Sequence, residues 1–232
     1  MWTCLVYACL CTTLHSCALL VEDNLPILRI KQRLSVGQQH SYYNKVVSTA
    51  HAVIMFLSSC YYWCWINREM VIGVKCSEYE MRCLRLMVGY LIYDICYEAS
   101  TTSQMDVLAH HFLGLGSHLS TLVSGHGACG FYSMMVFLAE GSTPFLNVSW
   151  VMHHLRLNHT VMFKACVLTL MCTFFVLRVM LGTFTIAHMW QRKEQWGVDA
   201  GTVLFWFNFL VVALFVLLNY FWFYKLVAVA AK

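Results

Sequence analysis

The run from Val203 to Leu226, VLFWFNFLVVALFVLLNYFWFYKL, constrains the chain more than any other stretch. A helix needs about 20 mainly apolar residues to cross the hydrocarbon of a bilayer. In that solvent every backbone N–H and C=O must be satisfied within the protein, which leaves helices and closed barrels as spanning structures. Val46–Ile66 is a second run of this kind, Met1–Val21 is nearly long enough, and Val161–Trp190 is longer than one crossing needs. The last carries Arg178 in its middle and Gly182 soon after, which predicts a tilted or kinked helix. Three segments are less apolar. Cys83–Tyr97 contains Arg85 and Asp94, Val107–Ser124 contains His110, His111 and His118, and Ala128–Ala139 is short. Gly125-His126-Gly127 reads as a tight turn between the last two. Together these segments predict an all-α membrane protein with about seven transmembrane helices.

Composition agrees. Of the 232 residues 60% are hydrophobic and 11% charged, where a soluble domain has about 25% charged. The formal charge of +4 is scattered and forms no basic stripe, so nucleic acid is not an expected partner. The 12 cysteines lack the spacing of a metal site or an extracellular disulfide framework and are expected to be buried thiols. No metal site is expected, because His-Glu-x-x-His is absent and adjacent histidines on a helix point too far apart for one ion. No bound cofactor is expected either.

The first apolar run lacks the basic region that precedes the core of a secretory signal, so it is read as a helix. Arg29, Lys31 and Arg33 follow it, and positive residues favour the cytosol. This predicts a lumenal N-terminus, a cytosolic Leu25–Asn44 loop and, after seven spans, cytosolic Lys225 and Lys232. The sequons at Asn147 and Asn158 then fall in a cytosolic loop and stay unmodified. Pro144 is expected to end the fifth helix or shape its loop, and residues 192–196 to form a solvated loop.

The histidines need an explanation, since titratable groups in hydrocarbon are costly. On a helix Asp106 lies one turn below His110, and His111 lines up with Gly114 and His118. His110 and His111 project about 100° apart. This face is expected to turn toward a protein-lined cavity, with Asp94 of the preceding helix and Glu140 at the end of the following one within reach. A carboxylate beside an imidazole fixes its tautomer and stabilises its cation, as general-base chemistry requires. Interhelical hydrogen bonding is the plainer alternative. Arg178 suits a lipid or acyl-CoA phosphate, or else a structural ion pair with Asp94 or Glu140. Ser142 and Thr143 are expected to cap local backbone, and no Gly-x-Ser-x-Gly elbow supports a serine hydrolase. Asn219 is expected to face the cavity, and the aromatics at 220–224 to sit in an interfacial belt.

Six motifs occur in order: KVVSTAHA at 45–52, GYLIYD at 89–94, LAHH at 108–111, EGSTPFLNVSW at 140–150, FFVLR at 174–178 and LNYFWFYKLV at 218–227. Together they resemble the TLC domain family, membrane proteins that include the ceramide synthases. EGSTPFLNVSW is similar to a segment of the type-four subgroup of TLC domain-containing proteins. The resemblance implies an N-terminal transmembrane helix and basic cytosolic loop over residues 1–43 and a TLC domain over 44–232. It also implies six helices in a bundle or barrel around a central cavity, here with one N-terminal helix added. In ceramide synthases the paired histidines serve N-acylation of a long-chain base by an acyl-CoA. They match His110 and His111, which with Asp94 become the catalytic candidates, and acyl-CoA would be a co-substrate. Asp106, His118, Glu140, Arg178 and Asn219 are the candidates for lining a cavity or binding lipid. Ceramide synthases carry a further His-Asp and an Asp on the next helix. Here ACGFYSMMVFLAE, residues 128–140, has Glu140 as its only acid. Other members of the family are linked to membrane lipid composition and trafficking. Three readings stand: a lipid-binding or lipid-regulating protein, a ceramide-synthase-like N-acyltransferase, and a cargo or trafficking receptor. Membrane lipids are the expected partners, a homo-oligomer is left open, and the family implies the endoplasmic reticulum.

Overall fold

A computed structural model describes residues 2–24, 33–101, 105–196 and 201–230. These are helical almost throughout, with no β-strand among the described residues. The basic residues Arg29 and Lys31, and the C-terminal Lys232, lie outside them. The helices are α1 (Trp2–Asn24), α2 (Val36–Tyr61), α3 (Glu78–Ser100), α4 (Met105–Ser124), α5 (Gly127–Phe137), α6 (Thr143–His154), α7 (Val161–Phe174), α8 (Leu181–Gln191) and α9 (Gly201–Ala230). Helix α2 runs on through a wide π turn, Tyr62–Ile66. A 3-10 turn, Leu138–Ser142, joins α5 to α6, and a π turn, Phe175–Met180, joins α7 to α8. Gly37–Ile66, Val161–Gln191 and Thr202–Ala230 are long and apolar enough to cross a membrane. The surfaces fit that environment. Leu57, Leu168, Leu210 and Leu217 are exposed, whereas Asn44, His51, Asp94, His118, Arg178 and Asn219 are buried. Hydrocarbon tolerates apolar side chains outside and drives polar ones inward.

Local sequence fixes the helix ends. Ser77 caps α3: its hydroxyl accepts from the Glu80 amide at 3.3 Å while its own amide donates to Glu80 Oε2 at 2.6 Å. Glu80 is itself buried, and its Oε1 accepts from Tyr62 at 2.9 Å, tying the end of α2 to the start of α3. Gly125 takes φ +60° between α4 and α5, in the region that only glycine enters without cost. At this same end Lys75 and His126 pair as an isolated antiparallel bridge, and His126 Nε2 lies 3.1 Å from the Trp196 carbonyl.

Helix α1 packs on α3 and α2, α3 on α4, α4 on α9, α9 on α8, and α6 on both α2 and α7. Helix α5 touches α2, α3, α4 and α8 and is buried along nearly its whole length. That explains its uniformly apolar sequence, because a helix surrounded by protein needs no polar stripe. Gly89 allows a close approach of α1 to α3: a Cβ there would lie 2.5 Å from the Cys4 carbonyl oxygen.

Four expectations are corrected. Pro144 neither ends a helix nor shapes a loop. It stands in the first turn of α6, where its missing N–H would have no intrahelical partner. Asn147 is consequently not in a loop. It is buried within α6 and donates to Thr49 Oγ1 at 2.9 Å, while Asn158 stays exposed after the helix. Residues 192–195 are exposed, as expected, but 193–196 form a 3-10 turn and Trp196 is buried against His126 and Tyr132. The cysteines are all free thiols, but only Cys4, Cys11, Cys83 and Cys129 are buried. Cys9, Cys17, Cys64, Cys96 and Cys172 are exposed on the apolar exterior, where a thiol serves as a small hydrophobe.

Candidate functional site

Packing of α3 on α4 brings a carboxylate to an imidazole. Asp94 Oδ2 lies 3.2 Å from His111 Nε2. Asp94 Oδ1 accepts from Asn44 Nδ2 at 3.1 Å, and Asn44 Oδ1 accepts from Tyr93 Oη at 3.0 Å. The Tyr93 oxygen lies 2.8 Å from His15 Nδ1 on α1. The proton directions follow from the inventory of donors. An ionised Asp94 only accepts, so His111 carries its proton on Nε2. Tyr93 donates to Asn44, so His15 donates from Nδ1. That leaves His111 Nδ1 as the ring nitrogen free of a partner among the described residues, and it is unprotonated when the imidazole is neutral. A carboxylate-oriented imidazole with a free basic nitrogen is the arrangement a general base needs.

His110 turns about 100° away from its neighbour. It lines a cavity of about 80 Å³ between α3, α4, the α7–α8 rod and α9. At 10–15 Å³ each that holds roughly half a dozen waters, the size of a small polar group. His110 packs edge-on to Phe215, with ring centroids 4.7 Å apart, and its Nδ1 has no partner. His118, Glu140, Arg178 and Asn219 line the same cavity. His118 Nδ1 lies 3.3 Å from Ser133 Oγ. Asn219 donates from Nδ2 to the Phe215 carbonyl at 2.9 Å, and its buried Oδ1 has no partner.

Arg178 stands in the π turn between α7 and α8. Such single wide turns re-aim side chains and recur at functional positions. Its Nε donates to Ser142 Oγ at 2.7 Å and its Nη2 to Thr143 Oγ1 at 2.9 Å. Thr143 in turn donates to Glu140 Oε2 at 2.8 Å. The sequence offered Asp94 or Glu140 as a direct ion partner. Among the described residues no carboxylate is within ion-pair distance of Arg178. Ser142 does cap local backbone, donating to the Ala139 carbonyl at 3.0 Å.

The candidate residues therefore fall into three places. Asp94 pairs with His111. His110, His118, Glu140, Arg178 and Asn219 share the cavity. Asp106 is apart from both: its Oδ2 accepts from Trp222 Nε1 at 2.9 Å and lies 3.8 Å from Lys225 Nζ, so it does not support His110. Trp222 thus points inward from a stretch read as an aromatic belt, while Tyr220, Phe221 and Tyr224 are exposed. Sequence reasoning missed Asn44, Tyr93, His15 and His51. For Tyr93, His15 and His51 the signal was present, as a polar side chain in a largely apolar run, whereas Asn44 follows the polar stretch GQQHSYY and gave none. His51, in KVVSTAHA, stacks on Tyr90 with ring centroids 3.9 Å apart and is buried.

Compared with protein families, residues 38–228 match the TLC domain. A search of curated proteins gives no match. Apolar helices of membrane length, a lipid-compatible exterior and a polar interior agree with the family match, which spans most of the chain. The chain belongs to the TLC domain family, whose domain is found in membrane proteins of lipid metabolism.

Proposed function

We propose that this protein binds the polar part of a membrane lipid in its intramembrane cavity and acts in lipid homeostasis through that binding. The observation that carries this reading is the set of unsatisfied groups on the cavity wall. Among the described residues, Arg178 has no carboxylate within ion-pair distance, and Asn219 Oδ1 and His110 Nδ1 have no hydrogen bond. Buried polar groups without partners are costly, and a lipid headgroup supplies what they lack. The test is mass spectrometry of lipids that co-purify with the protein in mild detergent. Gly114 lies between His110 and His118, and a Cβ there would reach Phe215 at 3.4 Å. Gly114→Leu should fill the cavity and reduce retained lipid several-fold. Equal retention by wild type and variant would remove the reading.

A second reading, N-acyl transfer from acyl-CoA, draws on the Asp94–His111 pair. In it the lipid amine attacks the thioester carbonyl carbon and loses its proton to His111 Nδ1. His110 holds the carbonyl oxygen as it becomes anionic, and the C–S bond breaks to release CoA, which takes up the proton. Asp94 supports His111 and not His110, so the geometry favours His111 as the base. Release of free CoA by purified protein given acyl-CoAs and amine lipids, lost in His111→Ala, is the test. The receptor reading draws on exposed Met70, Val71 and Val74 between α2 and α3, but it needs no polar cavity.

The wider assignment follows the same reading. Seven spans are α1, α2, α3, α4, the α5–α6 rod, the α7–α8 rod and α9, with α1 added to a six-helix TLC barrel. The chain of helix contacts from α2 through α3, α4, α9, α7–α8 and α6 back to α2 supports the barrel. Seven spans also place residues 67–77, 125–126 and 192–200 on one side. The contacts among Lys75, His126 and Trp196 support that grouping. We assign α1 and the residues before Val36 to the added helix and its loop and start the TLC domain at α2, since the family match begins at residue 38 and the 43/44 boundary read from the sequence falls inside that helix. The Glu140-Gly-Ser-Thr-Pro-Phe segment supports the type-four subgroup, and residence in the endoplasmic reticulum is inferred from the family.

A further inference from the structure

We propose that Arg178 and Glu140 hold the head of a zwitterionic phospholipid whose cation carries N–H donors, with phosphate oxygens on Arg178 and the ammonium on Glu140. This rests on the lipid-binding reading and names the class of lipid.

The guanidinium of Arg178 is oriented by two neutral hydroxyls, Ser142 and Thr143, and its Nη1 has no hydrogen bond among the described residues. Among the described residues, Glu140 has one hydrogen bond, from the Thr143 hydroxyl, and no cation within ion-pair distance. One hydroxyl therefore stands between two opposite charges that line the same cavity. A simple anion would satisfy Arg178 but meet repulsion from Glu140, and a simple amine would do the converse. A zwitterion satisfies both.

The donor requirement comes from a separate atom. Asn219 Oδ1 is a buried acceptor without a partner on the same wall. A quaternary ammonium has no N–H to give to Glu140 or Asn219, whereas a primary ammonium has three donors. Guanidinium is matched to phosphate oxygens by its planar fork of donors. Space is consistent with this, since room for roughly half a dozen waters suits a small head group whose acyl chains remain outside the cavity.

The test offers the purified protein mixed micelles holding equal amounts of phosphatidylethanolamine, phosphatidylcholine and phosphatidylglycerol with the same acyl chains. Bound lipid is measured by mass spectrometry after repurification. Phosphatidylethanolamine should be retained about tenfold over phosphatidylcholine, the effect of losing a charge-assisted hydrogen bond. Glu140→Gln should collapse that preference, and Arg178→Gln should lower retention of all three. Soluble phosphoethanolamine should compete where inorganic phosphate alone does not, if the whole head is read. Equal retention of the ethanolamine and choline lipids overturns the inference and leaves lipid binding standing. Preference for phosphatidylglycerol also overturns it, as the mark of a plain anion site. No retained lipid at all overturns both readings. Should Arg178→Gln fail to fold, the wild-type competition and Glu140→Gln still decide.

Discussion

Asp94 on α3 and His111 on α4 form a buried contact of 3.2 Å, and the second carboxylate oxygen is held by Asn44 on α2. Three helices thus meet at one carboxylate. Removing one member of a buried hydrogen-bonded pair leaves the other without a partner. A double-mutant cycle of Asp94→Asn and His111→Gln should give a coupling of about 1–2 kcal/mol. Unfolding titrations in mixed detergent micelles measure it, and additive single effects would show that the contact carries no energy.

At Gly89 the backbones of α1 and α3 come close together. Gly89→Leu should lift α1 from the bundle, because a Cβ would already overlap the Cys4 carbonyl. Cys4 is fully buried and Cys9 exposed. Maleimide should label Cys9 in both proteins and Cys4 only in the variant. Protection of Cys4 in Gly89→Leu would mean that the helices part without exposing the face between them.

Trp196 is buried with its ring nearly parallel to those of His126 and Tyr132, at interplanar angles of 9° and 2°. Trp196→Ala should cost about 3–5 kcal/mol, as for other large buried aromatics. Trp196→Phe should cost less than half of that, since it keeps an aromatic ring in place and removes an N–H that has no partner. Thermal unfolding in detergent compares the two, and equal losses would contradict the stacking account.

The seven-span assignment places the N-terminus in the lumen and the C-terminus in the cytosol. A glycosylation tag inserted after Met1 should be modified and one after Lys232 should not, read as a mobility shift reversed by deglycosylation. The opposite pattern would require an inverted bundle, and the same result at both ends would require an even number of spans.

The sequence exposed the fold where membrane physics acts on single residues. Runs such as Val203–Leu226 announce themselves because hydrocarbon selects composition along a whole helix. Helix α5 was harder to bound, since a segment buried by protein on all sides has no amphipathic period. Pro144 misled because proline fits the first turn of a helix as well as a loop. At the site, the inward turn of Asn219 and the nearness of Asp94 to the histidines were legible from the cost of polar groups in lipid. Which imidazole Asp94 would meet was not, because His110 and His111 differ only by rotation about α4. The hydroxyl screen around Arg178 was also hidden, as it depends on how Ser142 and Thr143 pack against a turn 35 residues further along the chain.

The central claim is that a lipid's polar part enters the cavity beside His110. Phe215 faces His110, while Leu217 on the same helix is exposed. A photoreactive phenylalanine analogue at each position, activated in native membranes, would capture whatever lies against it. The account predicts one narrow class of lipid adduct at 215 and the bulk membrane composition at 217. No lipid adduct at 215, or the same lipid mixture at both positions, would contradict it.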